Sequence, residues 1–225
     1  MAMRGGAGRA RGARPREHLA GALARSQEIR DWGYRLICGL DEVGRGALAG
    51  PVAAGAVVLA GPLDLPGLDD SKLLTPLQRR RLSPLIVRGA AASAVGYAQA
   101  WEVDRLGIAA ATALAMRRAL ARLGVEPDHL LLDAFPLAGV PWPQLAREKG
   151  DRLFQEVAAA SVVAKVQRDA LMERLAERYP GYGWAENKGY GSQAHLQAIA
   201  RLGLTPWHRR SFCHGVPPAP GEAAR

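Results

Sequence analysis

The hydrophobic and polar positions change period several times along the chain. Arg35–Val43 and Pro51–Ala60 are short apolar runs bounded by glycines and predict strands, with a weaker third strand over Val87–Ala100. Glu102–Leu123 carries Leu106, Ala109, Ala113, Met116 and Leu120 at helical spacing and ends at Gly124, which predicts one helix with a C′ glycine. His129–Leu132 predicts a buried strand running into Asp133. Phe154–Tyr179 reads as a long helix stopped by Pro180–Gly181, and Gln193–Leu202 as a short one stopped by Gly203. Early strands followed by mixed helices and strands indicate an α/β domain with a mixed sheet. No internal repeat is present.

The two ends of the chain break this pattern. Residues 1–16, MAMRGGAGRARGARPR, hold five arginines and no acid, and such a segment buries too little apolar surface to offset its ordering entropy. The expected organisation is a largely disordered Arg/Gly-rich extension over 1–30, one catalytic domain over 31–215 and a disordered tail over 216–225. A solvated tail, an auxiliary nucleic-acid tether and a mitochondrial-type presequence all fit the leading segment.

Charge adds a partner class. The 225 residues hold 30 Lys and Arg against 21 Asp and Glu, a formal net charge of +9, which favours a polyanion such as nucleic acid. A basic protein with no such partner has the same charge. Cys38 and Cys213 form no CxxC pair, so a reducing cytoplasm fits and a disulfide scaffold does not. No apolar stretch approaches the ~20 residues of a membrane helix, and no secretory h-region is present.

The acids carry the candidate chemistry. Asp41–Glu42 closes the first strand in LICGLDEVGRG after five uncharged residues, and Asp133 closes another buried strand in HLLLD. Neighbours on a strand point to opposite faces, so Asp41 and Glu42 serve one site only where the strand ends, a turn that Gly44 and Gly46 permit. Asp151 precedes the long helix, and an N-cap is its competing reading. Clustered carboxylates without His or Cys favour a hard divalent cation, Mg²⁺ or Mn²⁺. The five histidines lack zinc spacing, and neither GxGxxG nor GxxxxGK[ST] occurs. His208 reads as structural, while Trp184, Trp207 and Tyr182 suit packing as well as base stacking.

DEVGRG (Asp41–Gly46), DSKLL (Asp70–Leu74), AAASVVAKVQRD (Ala158–Asp169), NKGYGS (Asn187–Ser192) and HRRSF (His208–Phe212) together resemble the ordered signature set of bacterial type 2 ribonucleases H, from about Leu36 to Phe212. The resemblance implies an RNase H-like fold: a mixed five-stranded sheet flanked by helices, with a helical carboxy-terminal part. It implies four catalytic metal ligands, Asp41, Glu42, Asp133 and Asp151, holding two divalent ions, and so favours the catalytic reading of Asp151. It implies that Gly44, Arg45 and Gly46 read the ribose 2′-OH through their backbone and that Tyr190 stacks on the following deoxyribose. Lys72, Ser161 and Lys165 are implied phosphate contacts. The implied activity is hydrolysis of RNA in RNA–DNA hybrids and nicking 5′ of single ribonucleotides in duplex DNA, by a monomer, leaving a 3′-hydroxyl and a 5′-phosphate.

Two positions depart from the family pattern. Gly107 stands where asparagine is usual, and Ala134 replaces a glycine, a conservative change if its φ is negative. The competing functions are a non-catalytic hybrid-binding module, which the four intact acids oppose, and a metal-dependent phosphatase or nuclease with another substrate, which GRG together with KGYG opposes.

Overall fold

The computed structural model describes residues 15–63, 68 and 74–214. Along the chain it runs α1 (Pro15–Asp31), β1 (Ile37–Val43), β2 (Val52–Leu59), α2 (Pro76–Gly89), β3 (Ala92–Ala98), α3 (Ala100–Leu106), α4 (Ile108–Leu120), β4 (His129–Asp133), β5 (Gln144–Arg147), α5 (Gly150–Leu153), α6 (Gln155–Arg178), α7 (Trp184–Asn187) and α8 (Gln193–Leu202). The strands form one five-stranded sheet in the order β3-β2-β1-β4-β5. Strand β1 is antiparallel to β2 and parallel to β4, and β4 is parallel to β5. The expected mixed sheet with flanking helices is the observed architecture.

Period-two alternation divides the core into two layers. Cys38 and Leu40 of β1 join Ala54, Ala56 and Val58 of β2 and Leu130 and Leu132 of β4 against Ala111, Ala115 and Ala119 of α4. On the opposite face, Ala53 and Val57 of β2 meet Ala159, Ala160 and Val163 of α6 and Leu82 and Ile86 of α2. A third cluster, with Ala49, Met172, Trp184 and Ile199, forms the helical carboxy-terminal part.

Helix α6 approaches the sheet closely because two strand positions lack a side chain. A Cβ on Gly39 would lie 2.0 Å from the Glu156 carbonyl carbon, and one on Gly55 would lie 2.3 Å from the Ala160 oxygen. Backbone therefore rests on backbone at both crossings.

Several elements differ from expectation. The amino-terminal extension is helical from Pro15, where disorder was expected; residues 1–14 and the tail from 215 lie outside the described residues. Ala22, Ser26 and Ile29 form a buried stripe on α1. Ser26 Oγ donates to Glu156 at 2.6 Å, and Arg30 pairs with the same carboxylate at 2.9 Å. A Thr75–Gln78 capping box starts α2, whose last turn takes the first residues of the expected third strand. The expected Glu102–Leu123 helix is two helices, because Gly107, at φ 76 and ψ 160, ends α3 and opens α4. Strand β5 and the short helices α5 and α7 have no counterpart in the sequence pattern.

Gly39→Ala tests the close crossing. The added methyl has no room that a side-chain rotation can make, so stability should fall by about 3 kcal/mol, measured as a lower urea midpoint.

Candidate active site

Parallel pairing of β1 with β4 sets Leu40 opposite Leu132, so Asp41 and Asp133 follow at the same edge of the sheet. The Gly150 N–H donates to Asp133 Oδ1 at 2.9 Å, which ties α5 to the end of β4 and sets Asp151 beside it. Asp151 lies inside α5, whose N-cap position is taken by Lys149 in a left-handed conformation, so it is no N-cap. Asp41 and Asp151 are buried, and Glu42 and Asp133 are half-buried.

Electrostatics joins the four acids. Burial pushes the Asp41 carboxyl well above the usual carboxylate range, the negative charge of Glu42, Asp133 and Asp151 adds to the rise, and a hydrogen bond with the Ser161 side chain opposes it. Burial raises Glu42 as well, offset by Arg45, whose guanidinium stands 3.3 Å from Oε1, while Asp133 adds to the rise. Among the described residues no three carboxylates already converge as a ligand set. The donor chemistry nevertheless suits a hard cation: the acids cluster at one sheet edge and repel one another, and a divalent ion would relieve that repulsion.

The turn after β1 is fixed from behind by two arginines that are 0% exposed. Arg168 Nε donates to the Pro51 carbonyl at 2.9 Å, Nη2 to Ala49 at 3.2 Å and Nη1 to Lys188 at 2.9 Å. Arg209 donates Nε and Nη2 to Gly50 at 3.0 and 2.9 Å, and Nη1 to Arg45 at 2.7 Å. Gly44, at φ 86, leaves room for Arg168, since a Cβ there would lie 2.1 Å from Nε. Gly46 has neither a positive φ nor a neighbour within 4 Å of a built Cβ, so its backbone is simply open.

Tyr190 meets this turn from the carboxy-terminal part. The Leu48 and Ala49 N–H groups donate to the Gly189 carbonyl at 2.8 and 3.1 Å. The Tyr190 ring is partly exposed and lies over the Arg168 guanidinium, 5.5 Å away. Lys165 pairs with Asp169 at 2.7 Å, with its ammonium 6.0 Å from the same ring. Ser161 is buried, and its side chain hydrogen-bonds the Asp41 carboxyl. Lys72 lies outside the described residues.

The family model for ribonuclease HII matches residues 38–215. The chain is 53% identical over 183 residues to ribonuclease HII of Synechococcus sp. (strain JA-3-3Ab), covering 80% of this chain and 82% of that one. It is 50% identical over 191 residues to ribonuclease HII of Geobacter sulfurreducens, covering 85% and 88%. The chain belongs to the ribonuclease HII family. The fold agrees: the ribonuclease H2 crystal structure from Pyrococcus horikoshii OT3 superposes with a TM-score of 0.64 at 27% identity, covering 78% of this chain and 92% of that one. As a ribonuclease HII the chain is a ribonuclease H, an endonuclease of RNA–DNA hybrids, which removes the non-catalytic reading.

Sequence reasoning assigned no role to Arg168 and Arg209, although both stand inside the quoted motifs. An arginine in a basic chain reads as a phosphate contact, and burial alone separates these two. Tyr182, Trp184 and His208 are buried, so none of them offers a ring face to a base.

At Ala134 the condition for a conservative change is not met. Its φ is 64, not negative, because the chain turns sharply after β4 and the Ala134 N–H bonds the Arg147 carbonyl at 3.0 Å. A left-handed alanine costs roughly 1–2 kcal/mol, partly offset by its stiffer unfolded chain. Ala134→Gly should therefore raise stability by roughly 0.5–1 kcal/mol, seen as a higher denaturation midpoint.

Proposed function

We propose that this ribonuclease HII cuts on the 5′ side of single ribonucleotides embedded in duplex DNA, as well as within hybrids, and leaves a 3′-hydroxyl and a 5′-phosphate. Asp41, Glu42, Asp133 and Asp151 would hold two divalent cations, Mg²⁺ or Mn²⁺. The observation that carries this reading is the arrangement of acids at the ends of β1 and β4, where Asp41 feels the charge of the other three. When bound, divalent cations supply positive charge against the phosphate and acidify water, as phosphodiester hydrolysis requires.

The chain's own groups have separate tasks. Ser161 keeps the Asp41 carboxylate oriented and favours its ionised form. Arg45 sits beside Glu42 and offsets its charge while the site is being filled. The backbone of Gly44, Arg45 and Gly46 senses the 2′-OH, which requires close approach and fixed polar groups. Donors and acceptors left unpaired by a deoxyribose cost roughly 1–3 kcal/mol each, so a few acting together discriminate strongly. Tyr190 tests the next sugar by stacking where a deoxyribose fits.

Asp133→Asn removes ligand charge and leaves the basic surface unchanged. Cleavage should fall below detection, while binding of a hybrid, followed by fluorescence anisotropy, should persist. Near-normal cleavage would sink the ligand assignment.

Tyr190→Phe should retain most activity because the ring remains. Tyr190→Ala should lose the preference for a lone ribonucleotide over a continuous hybrid, measured as the ratio of kcat/KM on the two substrates. An unchanged rate and ratio would mean that the sugar is read elsewhere.

A further inference from the structure

Behind Tyr190 lies a buried group of rings from Tyr182, Trp184, His195 and His208, with His195 and His208 centroids 5.3 Å apart. His195 stands in the first turn of α8 and is fully buried. Its Nδ1 lies 2.9 Å from the Tyr190 carbonyl oxygen. A carbonyl only accepts, so Nδ1 carries the proton. On the far side of the ring, the Trp184 indole N–H donates to His195 Nε2 at 2.9 Å. An indole only donates, so Nε2 is bare, and the imidazole is neutral in a single tautomer.

His208 completes the arrangement. The Thr205 N–H donates to His208 Nδ1 at 2.9 Å, which leaves the proton on Nε2, 3.2 Å from His195 Nε2. Protonating His195 would turn an N–H toward both the indole and the second imidazole. Burial holds both imidazoles below the usual histidine range, with His208 at about 4. The donor aimed at Tyr190 is thus set by the hydrogen bonds of Trp184 and His208 on the far side of the imidazole.

We propose that His195 is a positioning residue for ribonucleotide specificity: its Nδ1–H, locked by Trp184 and His208, fixes the Tyr190 carbonyl and with it the angle of the exposed Tyr190 ring. The inference rests on the reading of Tyr190 as the sugar sensor. The Ser192 N–H also donates to the Tyr190 carbonyl, at 2.8 Å, so the oxygen is gripped from two directions. Losing the imidazole grip leaves the loop attached but free to rotate about the other. Arg168, 5.5 Å from the ring centre, then supports a ring whose tilt is no longer fixed.

His195→Asn keeps an N–H donor near the place of Nδ1, whereas His195→Leu keeps bulk and removes the donor. The readout is kcat/KM on a DNA duplex with one ribonucleotide divided by kcat/KM on a continuous hybrid. His195→Leu should lower that ratio roughly tenfold, the worth of one buried hydrogen bond, with the loss falling on the single-ribonucleotide substrate. His195→Asn should recover most of it. In a Tyr190→Ala background His195→Leu should change nothing further, because both act through one group.

An unchanged ratio in folded His195→Leu, with Tyr190→Ala still lowering it, overturns the His195 role alone. If Tyr190→Ala leaves the ratio unmoved, the sugar-sensor reading falls and this inference with it. Equal loss on both substrates without rescue by Asn would make His195 a packing residue only. Should His195→Leu fail to fold, long-range ¹H–¹⁵N spectra of the unmodified protein decide: a proton on His195 Nε2 overturns the proposal, and one on Nδ1 supports it.

Discussion

Helix α6 rests on β1 and β2 with glycine beneath it at both crossings, and that one helix reaches α1, Asp41 and the two loops beside the acids. Its first turn supplies Glu156, which receives Ser26 and Arg30 and holds α1 against the fold. Its second turn brings Ser161 to Asp41. Two turns further on, Arg168 reaches the loop after β1 and the loop that carries Tyr190. Lifting the helix by one methyl would move all of these together, since a helix transmits displacement as a rigid rod. The small side chains of AAAS serve the same purpose, allowing α6 to sink into the sheet where bulkier residues would hold it away.

Buried arginines normally face carboxylates, yet Arg168 and Arg209 are satisfied almost wholly by backbone carbonyls. That choice suits a site whose carboxylates are needed elsewhere. Five guanidinium donors in a planar fork can hold several carbonyls of an irregular loop at once, which lysine cannot do. Burial and the neighbouring Arg168 charge lower the Arg209 pKa to about 10, still far enough above neutrality to keep it charged. The cost of burying the charges is offset by hydrogen bonds that make the turn rigid.

Legibility in the sequence followed the range of the interactions. β1, β2, β4, α6 and α8 were readable because apolar runs and glycine stops are local signals. The four acids were readable by type and position, and their grouping into one set came from the motif resemblance. Helix α1 was not readable, since its buried stripe is short and its partner Glu156 lies 130 residues from Ser26. The break at Gly107 and the left-handed Ala134 depend on backbone angles that residue type only biases. The Thr75–Gln78 box stands in the letters, but its capping role depends on the backbone turning into α2 at Pro76.

A protein that distinguishes ribose from deoxyribose faces a difference of one hydroxyl, and a flexible site would adapt to either sugar. On the proposed reading the solution lies in rigid backbone. The turn at Gly44–Gly46 and the loop at Tyr190 come from distant parts of the chain, yet Arg168 packs against Gly44 and donates to Ala49 and Lys188, and the Gly189 carbonyl takes hydrogen bonds from Leu48 and Ala49. The two loops therefore behave as one piece. A sugar with the wrong substituent cannot be accommodated by moving one loop, because each is braced against the other and against α6. Discrimination then follows from polar groups that cannot rearrange to repair a lost partner, and unrepaired buried groups are what make such losses costly.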